Sequence, residues 1–446
     1  MICPSCKAKN DDGAEACFTC GRALTALTQG AVIANRYEVQ KPIGRGGMGM
    51  VYRAHDRMLD ETVAIKVLRA ELTGASEAGQ RFRSEIKLAR KVSHRNVCRI
   101  HEYDEDGSIR YISMEYVEGT DVKQILREGS LTLDEAFEVC IQMADGLHAI
   151  HEVGIIHRDL KTPNIMLMRD ARGAAVVRLM DFGIAKIESG GTSGSLTTTG
   201  QIMGTPEYMS PEQCMGEKID HRSDIYAAGI VIYETFTGQV PFKGDSAVAT
   251  LFKHIQDQVF PEGSPVDTRI PVSLIPVIRR ALHKNRVDRF ATAQEMAAVL
   301  REAHAQFKAS PPSDLLPTGR VPVAPLMPTP PPPERRRETR TDIYANFILR
   351  RIGDQGIVLQ EERTIAENVG RGGARVMTTM ASLGPGDVVF IEEVGGPKAD
   401  GPYSTRAEIC HSYVGPDKIR RLNLKFLDRP APKHLVVEEG ANSTRR

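Results

Sequence analysis

The sequence predicts a multidomain chain: a short metal-held module, a large unit of mixed strands and helices, and a small strand-rich domain. Three observations carry this. Four of the eight cysteines fall within the first twenty residues, residues 37–307 alternate strand-like and helix-like patterns without a long break, and prolines crowd residues 308–334. At roughly 100–200 residues per domain, 446 residues make two to four units.

Composition excludes several classes. The hydrophobic fraction is 41% and the charged fraction 26%, ordinary for globular protein. A net charge of +1 argues against nucleic-acid binding and against bulk electrostatic membrane binding. No stretch approaches the roughly 20 apolar residues of a membrane span. The most apolar run, Ile225 to Phe236, is interrupted by Gly229 and Glu234. The N-terminus has no basic region followed by an apolar one, so no secretory signal is expected. The expectation is a cytoplasmic protein with reduced thiols, in which Cys98, Cys140, Cys214 and Cys410 are ordinary buried groups.

The first element is residues 1–22. Cys3, Cys6, Cys17 and Cys20 form C-x2-C-x10-C-x2-C. Two-residue gaps turn both thiolates of a pair onto one metal, and four thiolates match a closed tetrahedral zinc site. Two disulfides conflict with a reducing compartment, and a redox CxxC needs a surrounding βαβ pattern that so short a segment lacks. Structural Zn2+ is therefore expected, and the segment resembles the zinc ribbons at the ends of many bacterial regulatory proteins. Residues 23–36 form a connector.

Within 37–307, Gly44-Arg45-Gly46-Gly47-Met48-Gly49-Met50-Val51 reads G-x-G-x-x-G-x-V. A dinucleotide fold would follow such a turn with a helix, but Val51-Tyr52-Arg53-Ala54 continues as a strand. The loop joins two strands and can fold over phosphates through its backbone N–H groups. Val63-Ala64-Ile65-Lys66-Val67 is a strand whose lysine needs a counter-charge, which Glu85 on the helical stretch Gln80–Val92 can supply. His157-Arg158-Asp159-Leu160-Lys161-Thr162-Pro163-Asn164, Asp181-Phe182-Gly183 and Gly204-Thr205-Pro206-Glu207-Tyr208-Met209-Ser210-Pro211-Glu212 follow in that order.

Taken together, these segments resemble the protein-kinase signature set, over about residues 37–307, and most closely that of the bacterial relatives of eukaryotic serine/threonine kinases. The resemblance implies a bilobal α+β protein-kinase fold that uses ATP and Mg2+. It implies an ATP-binding set of Ile43, Gly44, Gly46, Gly49, Val51, Ala64, Lys66, Met114, Glu115, Val117 and Asp121. Lys66, oriented by Glu85, would hold the α/β-phosphates. Asp159 would accept the acceptor hydroxyl's proton, Lys161 would neutralise the transferring group, and Asn164 and Asp181 would ligate magnesium, a hard cation suited to oxygen. Lys161 in H-R-D-L-K-x-x-N points to serine and threonine as acceptors in protein substrates. Ser-Pro-Glu ending at Glu212 departs mildly from the usual Ala-Pro-Glu, with Arg289 as its expected partner and Asp224 as a brace for the catalytic loop. Between Gly183 and Gly204 the small polar residues predict a mobile loop. Arg158 awaits an anion there, so autophosphorylation is expected at Thr197 and Thr199. Self-association is a common route to it among similar kinases.

Residues 308–334 read as a semi-stiff spacer. Residues 335–435 read as short strands separated by Gly-rich turns, Val388–Glu393 and Leu422–Phe426 among them, and residues 436–446 as a polar tail. Arg336 and Arg340 form R-x-x-x-R, and Asn368-Val369-Gly370-Arg371-Gly372-Gly373 follows. These features resemble a PilZ domain, a small β-barrel that in many members binds cyclic di-GMP. The resemblance implies contacts from Arg336, Arg340, Asn368 and Gly373. Gly370 stands where that family's motif has Ser, which removes one hydroxyl hydrogen bond. A rival reading makes the chain a cyclic di-GMP receptor whose kinase fold is a non-catalytic scaffold, and a third an adaptor that docks through its zinc module. Retention of Lys66, Asp159, Asn164 and Asp181 favours the enzyme.

Overall fold

The computed structural model describes residues 27–46, 49–68, 77–107, 109–129, 131–182, 205–263, 265–309, 345–353, 357–370, 372–394, 403–415 and 417–431. The zinc cysteines Cys3, Cys6, Cys17 and Cys20, the loop threonines Thr197 and Thr199, the proline-rich spacer, and Arg336 and Arg340 lie outside the described residues. The chain divides into two units between Glu118 and Gly119.

The first unit is an antiparallel sheet of β1 (Val32–Ile33), β2 (Tyr37–Gly46), β3 (Gly49–Asp56), β4 (Glu61–Leu68), β5 (Ile100–Asp106) and β6 (Ile109–Glu115), in the order β1-β2-β3-β4-β6-β5. Alternation places Val39, Tyr52, Ala54, Val63 and Ile65 in one apolar core with Tyr37 and Tyr111. The β2–β3 hairpin ends at the pair Gly46 and Gly49. Gly49 has φ +147°, and a Cβ there would sit 1.9 Å from the Val67 carbonyl oxygen, so only glycine fits. The helix expected over Gln80–Val92 is α1, Glu77–Ala89. Its end tightens into i→i+3 bonds, from Lys91 N–H to Leu88 and from Val92 N–H to Ala89. Phe82, Ile86 and Ala89 form its buried face.

The second unit begins with β7 (Thr120–Asp121), α2 (Val122–Glu128), α3 (Leu133–Glu152), β8 (Ile165–Arg169) and β9 (Ala175–Leu179). A capping box starts α3: Glu135 N–H donates to the Thr132 hydroxyl, and Thr132 N–H donates to the Glu135 carboxylate. The helices α4 (Pro211–Cys214), α5 (Arg222–Thr237), α6 (Ala247–Gln256), α7 (Ile275–Ala281) and α8 (Ala293–Ala309) follow. Almost every side of α5 is buried, which is why its sequence looked like a near-continuous apolar run.

The same unit contains a closed barrel of β10 (Ala345–Ile352), β11 (Val358–Gly370), β12 (Gly373–Thr378), β13 (Val388–Glu393), β14 (Ser404–Val414) and β15 (Arg420–Phe426), ordered β10-β11-β12-β15-β14-β13. Phe347, Leu349, Ala366, Val376, Val389, Ile391, Ile409 and Leu422 fill its interior. Ile365 and Met377 alternate with the interior residues Ala366 and Val376, so they point outward, yet both are wholly buried. They and Ile419 pack in one apolar cluster with Met209, Cys214, Val248, Leu251 and Phe252 of the helical part. Asn346 donates to the Cys214 carbonyl at 3.3 Å, Gln256 donates to the Arg363 carbonyl, and Arg363 pairs with Glu217. At about 1.5–3 kcal/mol per buried apolar side chain, the three outward residues contribute a gross stabilisation of roughly 5–9 kcal/mol. The strand-rich domain, read from sequence as separated by a spacer, is thus seated on α4 and α6.

Candidate active site

In the first unit the predicted nucleotide-binding residues lie on β2, β3, β4, β6 and the segment after it. Ile43 is exposed, Val51 is half-buried, and Ala64, Met114 and Val117 are buried. Lys66 is only 3% exposed on β4, and Glu85 is half-buried on α1; both are engaged rather than free. The Glu115 N–H is taken by the Arg99 carbonyl at 2.9 Å, and its carbonyl accepts a long contact from the Cys98 thiol.

In the second unit the loop from His157 to Asn164 is fastened from beneath by Asp224 on α5. One Asp224 oxygen accepts the His157 N–H at 2.7 Å and His151 Nε2 at 2.8 Å, and the other accepts the Arg158 N–H at 2.8 Å. Burial pushes the Asp224 carboxyl up, but these donors outweigh it and hold the group below the usual carboxylate range. The clamp keeps Arg158 at φ +64°, a left-handed backbone costly for a side chain of this size. Asp181 is held in the same region at φ +56°. Burial lowers the His157 pKa, so its ring is a neutral packing group, 6.4 Å from the Phe182 ring.

Asp159 is thereby presented with two companions. Lys161 Nζ lies 2.9 Å from one of its oxygens and also donates to the Thr205 hydroxyl at 3.2 Å. The Asn164 amide nitrogen donates to the Asp159 carbonyl at 2.8 Å and to its carboxylate at 3.1 Å. That orientation commits the Asn164 nitrogen and leaves its amide oxygen as the outer donor atom. An amide oxygen together with a carboxylate such as Asp181 is the hard-donor chemistry that Mg2+ takes, its shell completed by phosphate and water. Asp121 caps α2, accepting from the Gln124 N–H at 2.9 Å through one oxygen.

Residues 37–300 match the family described as protein kinase domain. The chain belongs to this family. Among curated relatives it is 42% identical over 277 residues to the serine/threonine-protein kinase pkn3 of Myxococcus xanthus, covering 61% of this chain and 50% of that one. It is 39% identical over 274 residues to a probable serine/threonine-protein kinase of Clostridium perfringens, covering 61% and 39%. It is 40% identical over 277 residues to the probable serine/threonine-protein kinase PknB of Corynebacterium glutamicum, covering 60% and 42%. The match spans half or less of the length of these relatives.

The kinase domain also holds residues that sequence reading passed over. Glu234, fully buried on α5, accepts from Thr162 at 2.9 Å and from Tyr208 at 2.5 Å, and pairs with Lys123. It joins the loop carrying Asp159 to the Thr205–Glu212 segment. Burial and then the Glu234 charge raise the Tyr208 pKa, so its hydroxyl stays protonated as a donor. The signal was present: a lone carboxylate in the most apolar run of the chain must have buried partners. The expected Glu212–Arg289 pair is bidentate, at 2.7 and 2.8 Å, and almost wholly buried. Cys98, Cys140 and Cys214 are buried as expected, but Cys410 is exposed, because the alternation of β14 buries Thr405, Ala407 and Ile409 and turns Cys410 outward.

Proposed function

We propose that the chain is an ATP-dependent serine/threonine protein kinase that phosphorylates protein substrates and its own activation loop. The observation that carries this is Asp159, held by Lys161 and Asn164 on a loop whose backbone Asp224 clamps. In this reading Asp159 takes the proton as the acceptor hydroxyl oxygen bonds to the γ-phosphorus and the bond to ADP breaks. Lys161, shared between Asp159 and Thr205, keeps positive charge beside the transferring group and ties the acceptor segment to the base. Lys66, with Glu85 as its orienting partner, holds the α/β-phosphates. Asn164 and Asp181 are the residues to hold magnesium, whose bound charge offsets that of the phosphates. The remaining nucleotide contacts are those predicted from Ile43 to Asp121, and Thr197 and Thr199 are the proposed self-phosphorylated residues.

Two accessory roles complete the reading. Cys3, Cys6, Cys17 and Cys20 hold one structural zinc, and the barrel is PilZ-like and takes cyclic di-GMP. Barrel closure supports the latter, as does the exposure of Asn368 directly across from Arg375, two residues beyond Gly373. Radiolabelled ATP turnover by wild type and Asp159→Asn, each with and without cyclic di-GMP, tests all but the zinc. Label on wild type alone is the expected result. Label on neither, with the protein folded and zinc-loaded, favours the receptor-scaffold reading.

A further inference from the structure

The barrel does not sit on an arbitrary surface of the helical unit. Its outward residues Ile365, Met377 and Ile419 close over Met209, Cys214, Val248, Leu251 and Phe252. Met209 is four residues from Thr205, whose hydroxyl accepts from Lys161, which in turn contacts Asp159. Tyr208, the neighbour of Met209, is bonded to Thr162 two residues beyond Leu160 in the same loop. Behind the loop, a void of about 10 Å³ brings Asp159, Leu160, Tyr208 and Met209 together with Ser223, Asp224 and Ala227 of α5. The seat of the barrel and the residues that hold Lys161 and the loop of Asp159 thus share one short stretch of chain.

The contact has a dry centre and a polar margin. Ile365 and Met377 are wholly buried although they belong to the outside of the barrel. The margin holds the Arg363–Glu217 pair, in which Arg363 is about half exposed, and the hydrogen bonds from Gln256 and Asn346. Apolar residues on an outer barrel face, rimmed by polar contacts, mark an interaction surface. The occupant is visible: it is the helical unit of the same chain.

We propose that the barrel is a cover over the acceptor side of the kinase domain. Seated on α4 and α6, it admits small acceptors to Asp159 and excludes bulky protein acceptors; lifting it opens that side. This rests on the kinase reading, but not on the barrel's binding any nucleotide.

The test uses the full chain. Arg363→Glu removes the rim pair at an exposed position, and Arg363→Glu with Glu217→Arg restores it with charges exchanged. Ile365→Asp attacks the dry centre from the barrel side and Val248→Asp from the helical side. Amide exchange over Ala247–Gln256 reports whether the barrel has lifted, and thermal melting reports folding. Two acceptors are compared. Water, read as ATP hydrolysis, is the smallest; the whole chain carrying Asp159→Asn, labelled in trans, is a bulky one. Lifting the barrel is expected to raise labelling of the whole chain by about 5–150-fold, the span of ordinary intramolecular coupling. Hydrolysis should stay within about twofold of wild type, since less than half a kcal/mol of coupling reaches the base itself. The charge-exchanged pair should return to wild-type behaviour. Faster α6 exchange with no gain in whole-chain labelling would overturn the proposal. So would a parallel rise of hydrolysis and labelling, because the barrel would then act on the catalytic loop. Unchanged α6 exchange in all variants would show that this contact does not seat the barrel, which overturns it as well. Absence of both hydrolysis and labelling in wild type would instead refute the kinase reading.

Discussion

Arg289 offers a sharp test of how the helices hold the Thr205–Glu212 segment. All five guanidinium N–H groups are used: on both Glu212 oxygens, and on the carbonyls of His283, Arg222 and Lys284 at 2.8–3.0 Å. The Ser223 hydroxyl adds a 2.6 Å bond to Glu212. Arg289→Met leaves the Glu212 carboxylate buried without its guanidinium partner, and breaking a buried pair in this way costs about 3–5 kcal/mol. For a unit of this size that is a fall of roughly 6–20 °C in melting temperature. Arg289→Met with Glu212→Leu removes both charges, so most of the loss should be recovered. Acid gives a second readout. Burial raises the Glu212 pKa, but Arg289 and then Ser223 outweigh it and hold the group below its ordinary value. A depressed folded-state pKa means that the pair's contribution is complete above the unfolded pKa and is lost as pH falls through the folded one. The gap between wild type and Arg289→Met should therefore narrow on acidification below about pH 4.3, the unperturbed glutamate value. Calorimetric melting over pH measures both. A loss below about 1 kcal/mol in the single variant, or no recovery in the double, would refute the reasoning.

Three further outcomes are expected. Asp224→Asn puts an amide nitrogen against a donor it cannot accept from; one misplaced bond, about 1–3 kcal/mol, should lower kcat roughly 5–150-fold while KM for ATP holds. Steady-state kinetics decides it, and a KM effect alone would count against the clamp. Burial pushes the Lys284 pKa down to about 7 from 10.5, so the unfolded chain binds more protons between those values. Wild-type stability should rise from pH 7 toward 10, and urea midpoints of Lys284→Met should lack that part of the rise. Gly373→Ala would place its Cβ 2.1 Å from the Leu424 carbonyl oxygen, whereas Gly372→Ala meets nothing within 4 Å. The first should destabilise the barrel by more than about 1 kcal/mol and the second by little, as judged by thermal melting.

Legibility from the sequence followed the range of the cause. Asp159, Lys161 and Asn164 stood out, because they fall at the fixed spacing of a family motif, and the structure brings their side chains together. The β-strand Val388–Glu393 was legible because a short apolar run bounded by Gly-rich turns is a local signal. For Glu234 the need for buried partners was legible but their identity was not, because Thr162, Tyr208 and Lys123 lie up to 111 residues away. Nor was the seating of the barrel. In β11, Ile365 and Ala366 are both simply apolar neighbours, and only the closed barrel shows that one faces in and the other out. Proline composition leads to the expectation of a spacer, but composition says nothing about where the strand-rich domain rests.

Strand β11 therefore meets two packing demands at once. Its even-numbered Ala366 fills the barrel, while its odd-numbered Ile365, one peptide away, meets the helices. A single-residue insertion upstream would exchange the two sets, emptying the interior and the seat together. The pairing of β11 shifts on both sides of these residues, at Leu359 between Val358 and Gln360 and again between Ala366 and Asn368, so Gln360–Ala366 is its stretch of unbroken register. An insertion inside that stretch is felt by the barrel interior and by the seat on α4 and α6 alike.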